Sequence, residues 1–369
     1  MLTFFSGNKT TIGLDIGTTA IRAVEIRPAG KGWRLHRWGT QPLPPESMAD
    51  GKVKNSEQVV SALQALFEKT GFSSKQVAIS VGGPSVIIKN IQLPFMTEME
   101  LEDQISLEAE EHIPFGIDDV HLDFHILNRE EEQINVLLTA CKTEVLDDHL
   151  KVVAEAGLTA SICDLDLCAL INAQETFVSS FGGGVKKKRR KKAGKESEPE
   201  GEEPVICLVN SGGSCLNVAI LIGSVPAFTR DYIFGTRQMI KQISQELEIP
   251  FDQAELLLPG GGSPEQAAVV QESLTSFESQ LVSTIGQALD FYRTAHSKQP
   301  VTQLYLSGPC GQIPDLDKRL TASLSLPVTI SDPLTTLKQG KGKGCRPMPH
   351  GISTRFMVAL GLALRGREA

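Results

Sequence analysis

The sequence predicts an α/β protein of two domains built on one plan, and three observations carry that reading. The strand–turn–strand pattern TIGLDIGTTAIRAVEI (Thr11 to Ile26) returns as ICLVNSGGSCLNVAIL (Ile206 to Leu221). Each copy is followed by a further strand and then an amphipathic helix. Between the copies runs FGGGVKKKRRKKAGKESEPEGEEP (181–204), which has almost nothing apolar to bury and reads as a disordered charged loop.

Taken in order, the first copy reads as a β-hairpin, joined by the strand WRLHRWGT and the helix SEQVVSALQALFEKTG, with Ser56 as cap and Gly71 as stop. QVAISVGG is a buried strand, and PSVIIKNIQLPF an extended segment interrupted by Pro94. EMELEDQISLEAEEHIPF gives an acidic helix stopped before Pro114; HLDFHIL and INVLLTACK are strands, and TEVLDDHLKVVAEAGL is a helix closed by Gly157. That mixture marks an inserted subdomain. After the second hairpin, VPAFTRDYI and TRQMIKQISQELEI repeat the strand and helix, with Met239, Ile240, Ile243 and Leu247 on one side. FDQAELLL, a long helix Ala267 to Ala295, and a strand, Gly-rich turn, helix and strand in TQLYLSGPCGQIPDLDKRLTASLSLPVTI come next. The closing helix ISTRFMVALGLALRG is apolar around most of its circumference, which predicts core packing, a membrane-surface helix being the alternative. The expected division is 1–81 and 159–180 for the first domain, 82–158 for the insert, 181–204 for the loop, 205–340 for the second domain, and 341–369 returning to the first.

Composition excludes several classes of function. A chain of 369 residues predicts two to three domains. No apolar run approaches the roughly 20 residues that span a bilayer. The net charge of −8 hides a split, because Lys186 to Lys195 holds eight basic residues and no acid. The rest carries 28 basic against 44 acidic residues, a balance of −16 that argues against nucleic acid as a partner. Seven cysteines without a Cys-x-x-Cys, most of them inside apolar runs, read as reduced packing residues. MLTFFSGNK lacks the features of a signal peptide, so a cytoplasmic protein is expected.

The chemistry is expected at the turns. Aligned without gaps, Asp15 falls on Asn210, Gly17 on Gly212, Thr18 on Gly213 and Thr19 on Ser214. A turn reading Asp-Ile-Gly-Thr-Thr presents backbone N–H groups and two hydroxyls to one point, as a chain of phosphates requires. Asp15 is placed to hold Mg²⁺ through its waters, and the second turn would approach the same phosphates from the opposite domain. A third turn, Gly308 to Gly311, follows a strand, although Pro309 removes one N–H donor there. Asp164 and Asp166 are the residual candidates for a catalytic acid, weighed against a helix cap and a solvated side chain. On a strand, His121 and His125 stand about 13 Å apart, too far to share one metal ion. They and His112 read as surface or subdomain-boundary residues.

These features together resemble the actin/Hsp70/sugar-kinase superfamily. Within it the chain is similar to the PilM family of type IV pilus assembly proteins, relatives of the cell-division protein FtsA. IGLDIGTTAIRAVEI, VSVGGPSVIIKNIQLP, EEHIPFGIDDVHLDFHIL, CDLDLCALINA, VPAFTRDYIFGTRQMIKQI and FMVALGLALR carry the resemblance, and the insert is its most specific part. It implies an actin-like (ribonuclease H-like duplicated) fold with an FtsA/PilM-type inserted subdomain. It further implies ATP or ADP with Mg²⁺ in the interdomain cleft, held around Asp15, Gly17, Thr18, Thr19, Asn210, Gly212, Gly213, Ser214, Gly235, Glu255, Gly308 and Gly311. The implied partners are the N-terminal cytoplasmic tail of a PilN-like membrane protein and other pilus components at the inner membrane, where the protein would sit peripherally; self-association stays open.

Three departures bear on turnover. Asn210 stands where relatives place Asp, Leu258 replaces the Lys of Glu-x-x-Lys, and Gly235-Thr236 replaces Gly-Gly. A nucleotide-binding scaffold with at most slow ATPase activity is expected, a small-molecule phosphotransferase being the alternative.

Overall fold

The computed structural model describes residues 12–178, 203–260, 262–340 and 345–365. Apart from Glu203 and Pro204, the loop expected at 181–204 lies outside them. The first copy gives β1 (Ile12–Ile16) and β2 (Ala20–Ala29), then β3 (Gly32–Pro42), the short pair β4 (Met48–Ala49) and β5 (Lys52–Val53), α1 (Ser56–Thr70) and β6 (Gln76–Val81). The inserted segment supplies β7 (Val86–Pro94), α2 (Glu98–Glu110), β8 (Val120–Arg129) and β9 (Gln133–Lys142); α3 (Thr143–Glu155), β10 (Thr159–Leu165) and α4 (Asp166–Phe177) follow. The second copy gives β11 (Val205–Ser211), β12 (Leu216–Ile222), β13 (Val225–Tyr232), α5 (Thr236–Glu246), α6 (Phe251–Leu256), α7 (Pro264–Ala295), β14 (Gln303–Ser307), α8 (Leu316–Leu324) and β15 (Val328–Ile330). Last come β16 (Lys338–Gln339), α9 (His350–Ser353) and α10 (Met357–Arg365).

The duplication shows in the sheets. The first runs β10-β6-β1-β2-β3-β16 and the second β13-β12-β11-β14-β15. With the added edge strand β16 set aside, both place the hairpin and its third strand antiparallel on one side and two parallel strands on the other. A third sheet, β7-β9-β8, belongs to the insert.

Three cores follow from alternation on these strands. Ile12, Leu14, Ile21 and Ile79 pack with α1 and α3 on one face of the first sheet. Its other face, through Val24 and Leu35, meets α4, α10 and the second sheet's Ile206, Leu208 and Ala219. The opposite face of the second sheet is covered by α5, α7 and α8. The insert has a core of its own, where Val136 and Leu138 lie against Leu101 and Ile105 of α2. The buried Val152 and Val153 of α3, which the sequence placed in the insert, pack with Leu63 and Leu66 of α1.

Local departures from expectation have local causes. Asn55, not Ser56, caps α1, its side chain accepting from the Gln58 N–H at 3.1 Å. The long helix starts at Pro264 rather than Ala267, because Ser263 and Gln266 form a reciprocal capping box. Pro94 does not interrupt its strand. It ends β7, an edge strand, where a missing N–H is tolerated. After Gly308 the chain makes a 3₁₀ turn, Pro309–Gln312, and α8 begins only at Leu316. Every residue of α10 from Met357 to Ala363 is buried, so the core reading holds and the membrane-surface alternative falls. A Cβ on Gly13 would stand 1.8 Å from the Ala359 carbonyl, a measure of how closely α10 lies on β1.

Candidate functional site

The first hairpin is charged. Its register sets Asp15 opposite Arg22 and leaves Gly17, Thr18 and Thr19 as the turn. Arg22 is almost wholly buried, and its Nη1 lies 3.6 Å from Asp15 Oδ2. Burial pushes the Asp15 carboxyl up while Arg22 pulls it back.

The second hairpin has the same shape and different chemistry. Asn210 sits opposite Asn217, and the turn carries Gly212, Gly213 and Ser214. A Cβ on Gly213 would stand 2.6 Å from Thr18 Oγ1 and 2.7 Å from Thr19 Cγ2, so the two turns meet directly. Gly235 precedes α5, whose first N–H groups, on Thr236 and Arg237, donate to the Gly212 and Gly213 carbonyls at 3.1 and 2.8 Å.

Asn210 belongs to a hydrogen-bonded chain. Ser307 Oγ donates to Asn210 Oδ1 (3.1 Å), Asn210 Nδ2 to Asn217 Oδ1 (3.1 Å), and Asn217 Nδ2 to Asp231 Oδ1 (2.8 Å). The Gly83 N–H, at the base of the insert, donates to Asp231 Oδ2 at 2.8 Å. Burial pushes Asp231 up, opposed by these two hydrogen bonds. Asp166, in the first turn of α4, accepts from Ser80 Oγ at 2.6 Å. Its carboxyl is pushed up to about 7, first by burial and next by the charge of Asp15, with a smaller push from Asp231. A pocket of about 270 Å³ has Asp166, Asp231 and Asn217 on its walls. Asp164 points elsewhere, accepting from Arg365 Nε at 2.6 Å.

In the second domain, Gly308 has φ 89° and lies so close to β11 that a Cβ would stand 2.2 Å from the Ser211 carbonyl. Only glycine fits there. Its N–H donates to the Thr354 carbonyl at 3.0 Å, and Gly311 faces the Thr354 side chain. Glu255 on α6 accepts from Arg355 Nη1 at 3.0 Å, whereas Leu258 is buried in the core of the second domain. Gln312 Oε1, Thr354 Oγ1 and Arg355 Nε are buried without a hydrogen-bond partner among the described residues, while the Ser211 side chain is bonded to the Cys310 thiol. That concentration of unsatisfied donors and acceptors beside a glycine turn fits the hydroxyls and phosphates of a nucleotide. Among the described residues no group of three His, Cys, Asp or Glu side chains is arranged to hold a metal ion. Asp15, the carboxylate the sequence assigned to Mg²⁺, stands against Arg22.

A second concavity lies between the insert and the first sheet. It measures about 510 Å³ and is lined by β8 and β9 on one wall, by Ile162–Leu165 of β10 on the other, and by Ser224–Pro226 of the second domain. β8 and β10 are both edge strands. Each contributes residues of both parities, which means that strand edges, not only sheet faces, look into the groove. His121 and His125 lie here, and Asp164 with its partner Arg365 closes one end.

Sequence reasoning missed Arg22, Asn217, Asp231 and Arg355. The register of a tight hairpin would have found Arg22 opposite Asp15. Asp231 and Arg355 reach the site only through pairings across strands and between domains.

A family model described as type IV pilus assembly protein PilM matches residues 13–367. Among solved structures, one described as the PilM-PilN type IV pilus biogenesis complex superposes with a TM-score of 0.78 at 22% identity, covering 97% of this chain and 99% of that one. The ethanolamine utilization protein EutJ from Carboxydothermus hydrogenoformans follows with a TM-score of 0.55 at 12% identity, covering 98% and 92%. MreB5 of Spiroplasma citri bound to AMPPNP gives 0.50 at 12% identity, covering 98% and 97%. The fold is therefore the actin-like one the sequence predicted.

Proposed function

The chain belongs to the type IV pilus assembly protein PilM family, and from that premise we propose that it is a nucleotide-gated adaptor. ATP or ADP would bind between the two hairpins, and Asp15 is the residue that would hold Mg²⁺ through its waters. The N-terminal cytoplasmic tail of a PilN-like membrane protein lies in the groove between β8 and β10, keeping the protein peripheral at the inner membrane alongside other pilus components. The observation that carries this reading is the groove itself. Two strand edges face it, offering a peptide backbone hydrogen bonds on both sides, while Leu137 and Leu165 offer apolar contacts. No helix of the described residues is long and apolar enough to cross a membrane.

Hydrolysis is slow in this scheme, since position 210 offers an amide in place of a carboxylate and Leu258 offers no cation. The nucleotide then acts as a wedge. Because Gly213 touches Thr18 and Thr19, phosphates lying between the turns would push the two sheets apart. The movement reaches the groove because the insert is tied to β13 by Gly83 on Asp231, by Thr229 Oγ1 on the Ile88 carbonyl (3.1 Å) and by Asn90 on the Pro226 carbonyl.

The test is a calorimetric cycle with a synthetic PilN-like N-terminal peptide. Peptide affinity is measured with and without saturating ATP-Mg²⁺, and ATP affinity with and without saturating peptide. A reciprocal coupling of about 1–3 kcal/mol is expected. Leu137→Asp should abolish peptide binding and spare ATP. Equal peptide affinity in both nucleotide states would reduce the protein to a passive scaffold, and unchanged affinity in Leu137→Asp would move the peptide elsewhere.

A further inference from the structure

We propose that Arg355, from the segment just ahead of α10, is a nucleotide-binding cation that takes the phosphate charge in the cleft. This rests on the nucleotide reading above and adds to it a residue outside all three turns. Arg355 sits where three parts of the proposed site meet. Thr354, its neighbour, receives the Gly308 N–H on its carbonyl; Glu255 on α6 receives Arg355 Nη1; and Arg22 of the first hairpin is near enough for its charge to act on Arg355.

Two features of this arrangement are unexplained by the protein alone. The first is hydrogen bonding. Of the buried side-chain atoms that lack a partner among the described residues, three, on Gln312, Thr354 and Arg355, belong to the segments gathered at the Gly308 turn. Folded proteins tolerate few such atoms, and a cluster of them is a site awaiting a polar group. Arg355 Nε is one, so the guanidinium fork is only partly used by Glu255.

The second is charge. Arg22 and Arg355 are both mostly buried, at 8% and 17% side-chain exposure, and act on each other as like charges. Each has its carboxylate, Asp15 and Glu255, and these belong to opposite domains. An anion with several oxygens, set between two guanidinium groups, answers both the bare Nε and the repulsion. A phosphate chain is that anion. Arg355 would then supply, from the end of the chain, the positive charge that Leu258 does not.

The experiment compares ADP, ATP and adenosine by calorimetry on the wild-type chain, Arg355→Ala and Arg355→Lys, with thermal unfolding of each. Arg355→Ala should weaken ADP and ATP about tenfold or more and leave adenosine within about twofold. Arg355→Lys should recover part of the loss, since it keeps the charge but not the fork. If Arg355→Ala destabilises the chain too far to titrate, the wild-type to Arg355→Lys comparison decides by the same ratio of ADP to adenosine. Unchanged ADP affinity, or an equal loss for ADP and adenosine, would overturn the assignment while leaving nucleotide binding intact. A wild-type chain that binds neither ADP nor ATP would instead remove the nucleotide reading itself.

Discussion

The two hairpins share register, turn length and sheet position, yet one holds a buried ion pair and the other a pair of amides. Asp15 with Arg22 can meet a charged ligand directly. Asn210 with Asn217 carries no charge, and passes its hydrogen bonds on to Asp231 and so to Gly83 at the root of the insert. The difference teaches that a duplicated backbone fixes where two sites face each other and leaves open what each does. Here one hairpin carries charge and the other a chain of hydrogen bonds that runs to the insert.

The largest expected effect removes both hairpins from the comparison. Asp15→Ala combined with Gly212→Val should abolish ATP and ADP binding, a loss of more than about a hundredfold; undiminished affinity would place the nucleotide elsewhere. Next comes Asp166, on which the charge of Asp15 acts. Asp166 is raised from 3.8 to about 7 in the folded chain, so the native state keeps a proton that the unfolded state releases. Its contribution is complete below about pH 4 and is lost as pH rises through about 7. Asp166→Asn should remove a loss of stability on the order of a few kcal/mol between those limits, read from urea unfolding at pH 5 and 7.5. An unaltered pH profile would show that Asp166 does not carry the proton.

A steric contrast sharpens the point at smaller scale. Gly213→Val forces a side chain onto Thr18 and Thr19 across the domain boundary, and should cost about 1–3 kcal/mol, visible as a lower Tm. Gly17→Val, whose nearest neighbours are its own hairpin's Ala20 carbonyl at 3.0 Å and the Arg22 tip, should cost less. Equal losses would mean that the contact between the turns is not special. The smallest effect is expected from Asn210→Asp, which makes the two hairpins more alike. It should tighten nucleotide binding in the presence of Mg²⁺ by up to about tenfold and do nothing without the metal. No change in either condition would show that position 210 does not face the metal.

What could be read from the chain in advance was whatever repeats or caps locally. Both hairpins, α3 closed by Gly157 and the all-round apolar α10 follow from periodicity and from residues within one turn of each other. The insert's sheet was legible as strands, but not the fate of α3, whose apolar face fits either core equally well until the packing is known. Asp231 was hidden by distance: it reaches Asn210 through Asn217, across three strands, with a register shift in the β12–β13 pair. Arg355 and Glu255 are 100 positions apart and belong to different layers. No pattern on one strand or helix announces such a pair. Leu258 was legible as a missing cation, and its substitute was not.

The placement of α10 also sets an order of events during synthesis. β2 is synthesised long before Phe356, Met357, Leu360 and Ala363, yet these residues cover the face it turns toward the second sheet. Trp38 likewise donates to the Arg346 carbonyl, 308 positions away. At roughly 5–20 residues per second the first sheet must keep an apolar face exposed for tens of seconds. Shortening the chain by α10 should leave that apolar face uncovered.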